Sequence, residues 1–276
     1  MVDKLMSGLV FAAVAIAVVP LVVVIGSVVI EGLPAISPSF FSNLPTPPTI
    51  GGGGIANAIV GSAIMIALAA AISIPIGMGA GIYFSEWPES RLSFISSFTN
   101  DVLAEFPTIT LGFFIYIILV LPTRTFSGLA GALALSIIMI PIVARTTEES
   151  LKIVPVSLRE ASMALGIPRW KTIIRVVIGT GRRGLVTGVL LSIARAAGET
   201  APLIFTAFYS QYIPKTLLTP FGSIPYLIYY YSISDYPQWH TLAWGAALIL
   251  VAFMLVLNLG LKGYIGRKSL GVRAEI

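Results

Sequence analysis

Arg195 and Glu199 stand four residues apart in an otherwise apolar stretch, Leu190-Leu191-Ser192-Ile193-Ala194-Arg195-Ala196-Ala197-Gly198-Glu199-Thr200. Residues i and i+4 share one face of a helix. Read as part of a span over 184–205, both charges fall close to the bilayer centre. Ionised groups there cost about 2.5–3.5 kcal/mol each on insertion scales, so the pair should face protein or water and the two charges should pair with each other. Two chemistries fit these residues. One is a purely structural ion pair. In the other, Arg195 attracts and orients a passing oxyanion, Glu199 moderates that attraction and accepts a hydrogen bond from a protonated anion, and Thr200 stands beside them.

A second constellation lies just upstream, in Ser157-Leu158-Arg159-Glu160-Ala161-Ser162-Met163-Ala164-Leu165-Gly166-Ile167-Pro168 and the basic residues that follow. Ser157 and Glu160 have the spacing of a capping box, which predicts a helix start. Gly166 is placed to end that helix in the left-handed region and Pro168 to open the next, giving a compact helix-turn-helix. Leu158, Ala161 and Leu165 share one face, an apolar stripe edged by charge that suits docking. A plain connector between spans is the alternative. Glu105, in Glu105-Phe106-Pro107-Thr108-Ile109, reads as a charge at a helix start with Pro107 in the first turn; the other reading is a residue lining an inner vestibule.

The elements that must position these groups follow from composition. The 276 residues are 57% hydrophobic and 11% charged, far below the roughly 25% charge of soluble domains, so the solvent is mostly lipid. Apolar runs able to cross a hydrocarbon core of ~30 Å lie at 5–30, 55–85, 106–122, 125–144, 184–205 and 241–261. The expected fold is all-α and polytopic, with six transmembrane helices and a basic loop over 145–183. The first run is longer than a secretory signal and is expected to stay in the chain.

Fourteen basic residues (Lys4, Arg91, the eight from Arg145 to Arg183, Lys262, Arg267, Lys268 and Arg273) fall on one side, against Arg124 and Lys215 on the other. The positive-inside rule then makes both termini cytoplasmic. The net charge of +5 reflects this topology and attraction to lipid headgroups; no nucleic-acid module is recognisable. With no Cys and His240 alone, no metal site is expected. Gly51–Gly54 lack the Gly-Lys-Ser/Thr of a nucleotide loop and read as flexible linker. Pro75 with Gly77, Gly79 and Gly81 reads as close helix packing, with a hinge as the alternative. The aromatic-rich stretch 207–240 reads as interfacial anchoring or as a docking surface for an external partner.

Glu160-Ala161-Ser162, three residues, then Gly166, with Val176 and Ile178 beyond, resembles the Glu-Ala-Ala loop of permease subunits of ATP-binding-cassette importers; Ser162 replaces an Ala, and Gly179 stands where many relatives have Pro. The run Ala194 to Pro202 resembles the Arg…Gly-Glu-Thr signature of phosphate-importer permeases of the A type. Phe106 to Phe113 and Trp239 to Asn258 support it more weakly. The resemblance implies a single permease domain over 1–276 in the cell membrane. It further implies a substrate pathway at Arg195, Glu199 and Thr200, and ATPase coupling through Ser157, Arg159, Glu160, Ala161, Ser162 and Gly166. The implied partners are a C-type permease subunit, two copies of an ATPase subunit and an extracytoplasmic phosphate-binding protein. The chain itself is expected to be no enzyme and to hold no cofactor, with ATP bound by the ATPase. The alternatives are an importer for another oxyanion (molybdate, tungstate or sulfate) and an ATP-independent channel or scaffold.

Overall fold

The apolar runs fold as helices whose ends fall at proline, glycine and capping serine. The computed structural model describes residues 2–266, so Arg267, Lys268 and Arg273 of the charge count lie outside the described residues. The main helices are α1 (Val2–Gly32), α2 (Ala56–Glu86), α3 (Arg91–Glu105), α4 (Thr108–Thr123), α5 (Gly128–Lys152), α6 (Val156–Ala164), α7 (Arg169–Ala197), α8 (Ala201–Thr206), α9 (Ile224–Ser232) and α10 (Pro237–Gly266). Ser127 and Ser90 accept from the amides of Ala130 and Ser93, which fixes the starts of α5 and α3.

Five of these helices are long and apolar enough to cross a membrane alone. A sixth candidate is a bent pair, α3 followed by α4 at 103°, which makes either a broken span or a re-entrant loop. The stretch between the expected spans at 55–85 and 106–122 is itself helical: 91–105 buries Ser93 and Asn100 and exposes Leu92, Phe94, Ile95 and Phe98. The amide of Asn100 donates to the carbonyl of Pro141 in α5. Glu105 therefore closes α3 instead of opening the next helix, and Pro107 stands at the N-cap of α4. Proline disfavours helical geometry in the residue before it, so Phe106 is extended and the chain turns there.

The centre of the molecule is the pair α2 and α5. A Cβ on Gly77 would stand 2.7 Å from Cβ of Val143, and one on Gly81 would overlap Ala144 and Thr147. The packing reading of this glycine series is thus met at two positions, while Gly79 has open space around it. Met65, Ala69, Leu135, Met139 and Leu203 form the core of this seam. α1 is exposed along most of its length and joins α10 near Gly32, which meets the carbonyl of Trp244.

The ends of α2 and α5 meet α6 and the start of α7 at a basic end that carries Lys152, Arg159, Arg169 and Lys171. At the opposite end the Pro- and Gly-rich segment is packed. Any side chain on Gly54 would fall within 2.7 Å of the carbonyl oxygens of Ser39, Phe40 and Asn43. Thr46 donates to the carbonyl of Gly51, and Asn43 to that of Gly52. Gly53 and Gly54 are thus closely packed, a departure from the linker reading, while Gly51 and Gly52 take φ of 71° and 73° with open space around them.

The aromatic stretch also turns inward. Phe221, Tyr226 and Tyr231 are buried, Tyr231 stacks on Trp239 at 4.6 Å, and the hydroxyls of Tyr209 and Tyr231 lie 3.2 Å apart. Burial pushes both hydroxyls above the usual tyrosine pKa. Phe208, Tyr212, Tyr229, Tyr230 and Tyr236 of this group remain exposed for an interface.

Candidate functional site

α7 lies close against α5 because glycine recurs on its inner face: side chains at Gly181, Gly184 and Gly188 would collide with Leu151, Ser150 and Thr146. The helix begins at Arg169, not near Gly184 as expected, and runs through a wider π-turn segment at Ile173–Val177. It ends at Ala197. Gly198 has the low helix propensity of glycine, and Pro202 has no N–H to return to the Gly198 carbonyl, so the chain breaks between them. The amides of Gly198 and Glu199 fold back on the carbonyls of Arg195 (3.1 Å) and Ala196 (3.2 Å), and the carbonyl of Thr200 accepts from Leu203 (3.1 Å) to start α8.

Arg195 is therefore in the last turn of α7 and Glu199 in the break, a correction to the picture of two residues on one continuous helix face. They still pair, with Nε of Arg195 3.6 Å from Oε1 of Glu199. That distance is an ion pair without a direct hydrogen bond. The side chain of Arg195 is 52% exposed and that of Glu199 14%, so the carboxylate sits in the wall and the guanidinium projects from it. A cation in the last helical turn is also favoured by the helix dipole.

Three distant segments meet at this break. Gly112 of α4 packs directly on Pro202, where a Cβ would stand 2.9 Å from the proline carbonyl oxygen, and the rings of Phe113 and Phe205 meet edge to face at 5.9 Å. Gly198 lies against Met254 of α10. The stretches 106–113, 194–202 and 239–258, far apart in sequence, thus support one site. An apolar cavity of about 250 Å³ adjoins it, lined in part by Ala197, Ile249, Leu250 and Phe253. Glu105 is exposed and lines a separate open cleft with Asp101, Val102, Phe106 and Pro107.

At the basic end, α6 starts two residues earlier than the capping-box reading requires. Pro155 is its N-cap, the amide of Leu158 bonds the Pro155 carbonyl at 3.2 Å, and Ser157 makes no capping bond because it lies inside the first turn. The helix end is as expected. Gly166 has φ 77°, its amide bonds the carbonyl of Met163, and the amide of Ile167 bonds that of Ser162, a Schellman motif. Pro168 then caps α7.

The six residues expected at this surface divide into two sets. Ser157, Glu160, Ala161 and Gly166 face outward with the exposed Leu158 and Leu165. Arg159 and Ser162 face inward. Ser162 Oγ and Thr172 Oγ1 share a hydrogen bond of 2.8 Å, and Arg159 reaches Glu86 at the end of α2. Sequence reading missed Glu86, a carboxylate closing an apolar run whose partner Arg159 lies 73 residues away.

Residues 73–267 match the family described as "binding-protein-dependent transport system inner membrane component". The chain is 44% identical over 242 residues to the "phosphate transport system permease protein PstA" of Xylella fastidiosa, covering 87% of this chain and 84% of that one. It is 42% identical over 268 residues to the protein of that name from Pasteurella multocida, covering 97% and 95%. A "probable phosphate transport system permease protein PstA" of Methanocaldococcus jannaschii is 40% identical over 257 residues, covering 92% and 90%. Among solved structures, an inward-facing conformation of the MetNI methionine ABC transporter has the same fold, with a TM-score of 0.64 and 18% identity over 77% of this chain and 94% of that one.

Proposed function

The chain belongs to the family of inner membrane components of binding-protein-dependent transport systems, and we propose that it is the A-type permease subunit of an ATP-binding-cassette importer for inorganic phosphate. The observation that carries this reading is the half-exposed Arg195, in the last turn of the candidate span Arg169–Ala197, held over a walled-in Glu199 in the helix break that closes that span. A guanidinium offers several N–H donors to a tetrahedral oxyanion. The nearby carboxylate weakens that hold enough for release and can accept a hydrogen bond from the O–H of hydrogen phosphate. Relatives named as phosphate permeases, at 40–44% identity over most of the chain, support the choice of anion.

In this reading the basic end is cytoplasmic, as are both termini. The chain supplies half of the pathway, and a C-type permease subunit supplies the other half. Two ATPase subunits bind and cleave ATP and receive the outward face of α6, through Ser157, Glu160, Ala161 and Gly166. A phosphate-binding protein delivers the anion at the opposite end. ATP binding draws the ATPases together, α6 moves with them, and the pathway changes the side to which it opens; hydrolysis resets it.

The test is ATP-driven uptake of radiolabelled phosphate into proteoliposomes that hold this chain with its candidate partner permease, ATPase and binding protein. Uptake by the wild type and none by Arg195→Ala supports the reading. An ATP-hydrolysing wild-type complex that moves molybdate, tungstate or sulfate and not phosphate would replace the substrate.

A further inference from the structure

The end of α2 is fastened to α6 by a buried charge cluster with no part in the pathway described above. Glu86, the last residue of α2, has a side chain only 5% exposed, and its partner Arg159 is 15% exposed. Oε1 of Glu86 accepts from Nε (3.1 Å) and Nη2 (3.0 Å) of Arg159. The same guanidinium donates to the carbonyl oxygens of Leu151 (2.9 Å) and Val154, at the end of α5. The main-chain carbonyl of Glu86 accepts from Arg169, the first residue of α7. The Arg169 guanidinium also lies 4.7 Å over the ring of Trp87, which stacks on Tyr83.

Connectivity gives this cluster its meaning. α6 is joined through short turns to α5 on one side and α7 on the other, whereas α2 continues into α3 and has no covalent link to either. A displacement of α6 reaches the end of α2 through Arg159, Glu86 and Arg169, or not directly at all. Charge is required at position 86 because the Arg159 guanidinium is nearly enclosed, and enclosed cations need a counter-ion as well as acceptors. The fork of Arg159 matters because it must satisfy acceptors on two helices at once, which a lysine point charge does not do.

We propose that Glu86 is the positioning residue that locks α6 to α2, so that α2, the end of α5 and the start of α7 follow the coupling helix as one body. The inference rests on the permease reading, and its test separates the two. The chain has no cysteine, so Glu89→Cys and Ala164→Cys, both at exposed positions, can carry spin labels in the assembled complex. Electron–electron distance distributions are then recorded without nucleotide and with trapped ATP, alongside phosphate uptake per ATP hydrolysed.

The complex with native Glu86 and Arg159 should give one narrow separation in both states. Glu86→Gln should broaden it and lower phosphate moved per ATP by about fivefold or more, with ATP hydrolysis retained. Arg159→Lys should do the same, and it takes the place of Glu86→Gln if that variant fails to assemble. Arg169→Ala, which leaves the Glu86–Arg159 pair intact, should show a smaller loss of the same kind. An unchanged distance distribution and an unchanged transport ratio in the assembled Gln or Lys variant overturn the proposal. If the native complex moves no phosphate, the permease reading for phosphate fails, and the distances under ATP still decide the role of Glu86.

Discussion

Replacing Gly112 with alanine probes whether the seam between α4 and α8 sets the geometry of the Arg195–Glu199 pair. A Cβ at this position would overlap Cα of Pro202 and stand 3.0 Å from its Cβ. Carbon atoms are at ease about 3.5–4.0 Å apart, so the two helices must separate by roughly 0.5–1 Å. Proline has no flexible side chain to swing aside, and the strain falls on backbone. Overpacking of this kind costs about 1–3 kcal/mol, offset by about 0.5–1 kcal/mol from placing alanine in a helix, which leaves a net loss of roughly 0–2.5 kcal/mol. Pro202 is three residues beyond Glu199, so the displacement enters the ion pair directly. A misplacement of about 1 Å can cost on the order of 10²-fold in rate. The expected result in the reconstituted complex is a lower thermal unfolding midpoint together with phosphate uptake reduced at least about tenfold. Gly179→Ala is the matched control, since nothing stands within 4 Å of a Cβ there, and it should be neutral or slightly stabilising. Gly112→Ala behaving like Gly179→Ala in both assays would refute the seam as a determinant of the site.

Arg195→Ala should abolish uptake in a complex that still assembles and hydrolyses ATP, and Arg195→Lys should transport poorly because it keeps the charge and loses the planar fork; full uptake by the Lys variant would reduce Arg195 to point-charge attraction. Glu160→Ala, on the exposed face of α6, should change stability by no more than about 0.5 kcal/mol while ATP hydrolysis runs without transport; coupled uptake at the native ratio would remove Glu160 from the docking surface. Gly166→Ala forces a side chain into φ 77° and should cost about 1–2 kcal/mol, read as a lowered unfolding midpoint of the purified complex and weakened retention of the ATPase on affinity pull-down. An unchanged midpoint would mean that the turn can relax out of the left-handed region.

The spans were legible because lipid imposes a simple rule, an apolar run of sufficient length; α2 follows it almost to the residue, α10 exceeds it by about a turn at each end, and α5 runs about two turns past 144. Gly166 was legible because a left-handed helix end is a local property that one residue type serves. The capping box at Ser157 failed for an equally local reason: Pro155 already supplies the geometry of a helix start, and the helix takes the earlier cue. α3 was missed because its alternation of polar and apolar residues runs opposite to that of a soluble helix, polar inward and apolar outward, so composition alone gave a connector. The break after Ala197 was written in Gly198 and Pro202, yet an apolar window over 184–205 averages across both. Glu86 and the inward turn of Arg159 could not be read at all, since their pairing spans 73 residues and depends on how α2 and α5 end side by side.

The two arginines that matter most differ in how completely they are satisfied. Arg159 is enclosed and its guanidinium has acceptors on Glu86, Leu151 and Val154, the condition expected of a group whose work is structural. Arg195 is half exposed within a spanning segment, its single contact among the described residues is the 3.6 Å ion pair with Glu199, and its N–H groups have no acceptor there in hydrogen-bonding geometry. A cation with free donors is costly wherever lipid reaches it. In the phosphate-permease reading proposed above, the free donors of Arg195 are met by a bound oxyanion, which uses both their charge and their planar geometry; water or a carboxylate of a second subunit are the competing occupants. The carboxylate of Glu199, drawn back into the wall at 14% exposure, is then placed to limit the strength of that hold without competing for the same space.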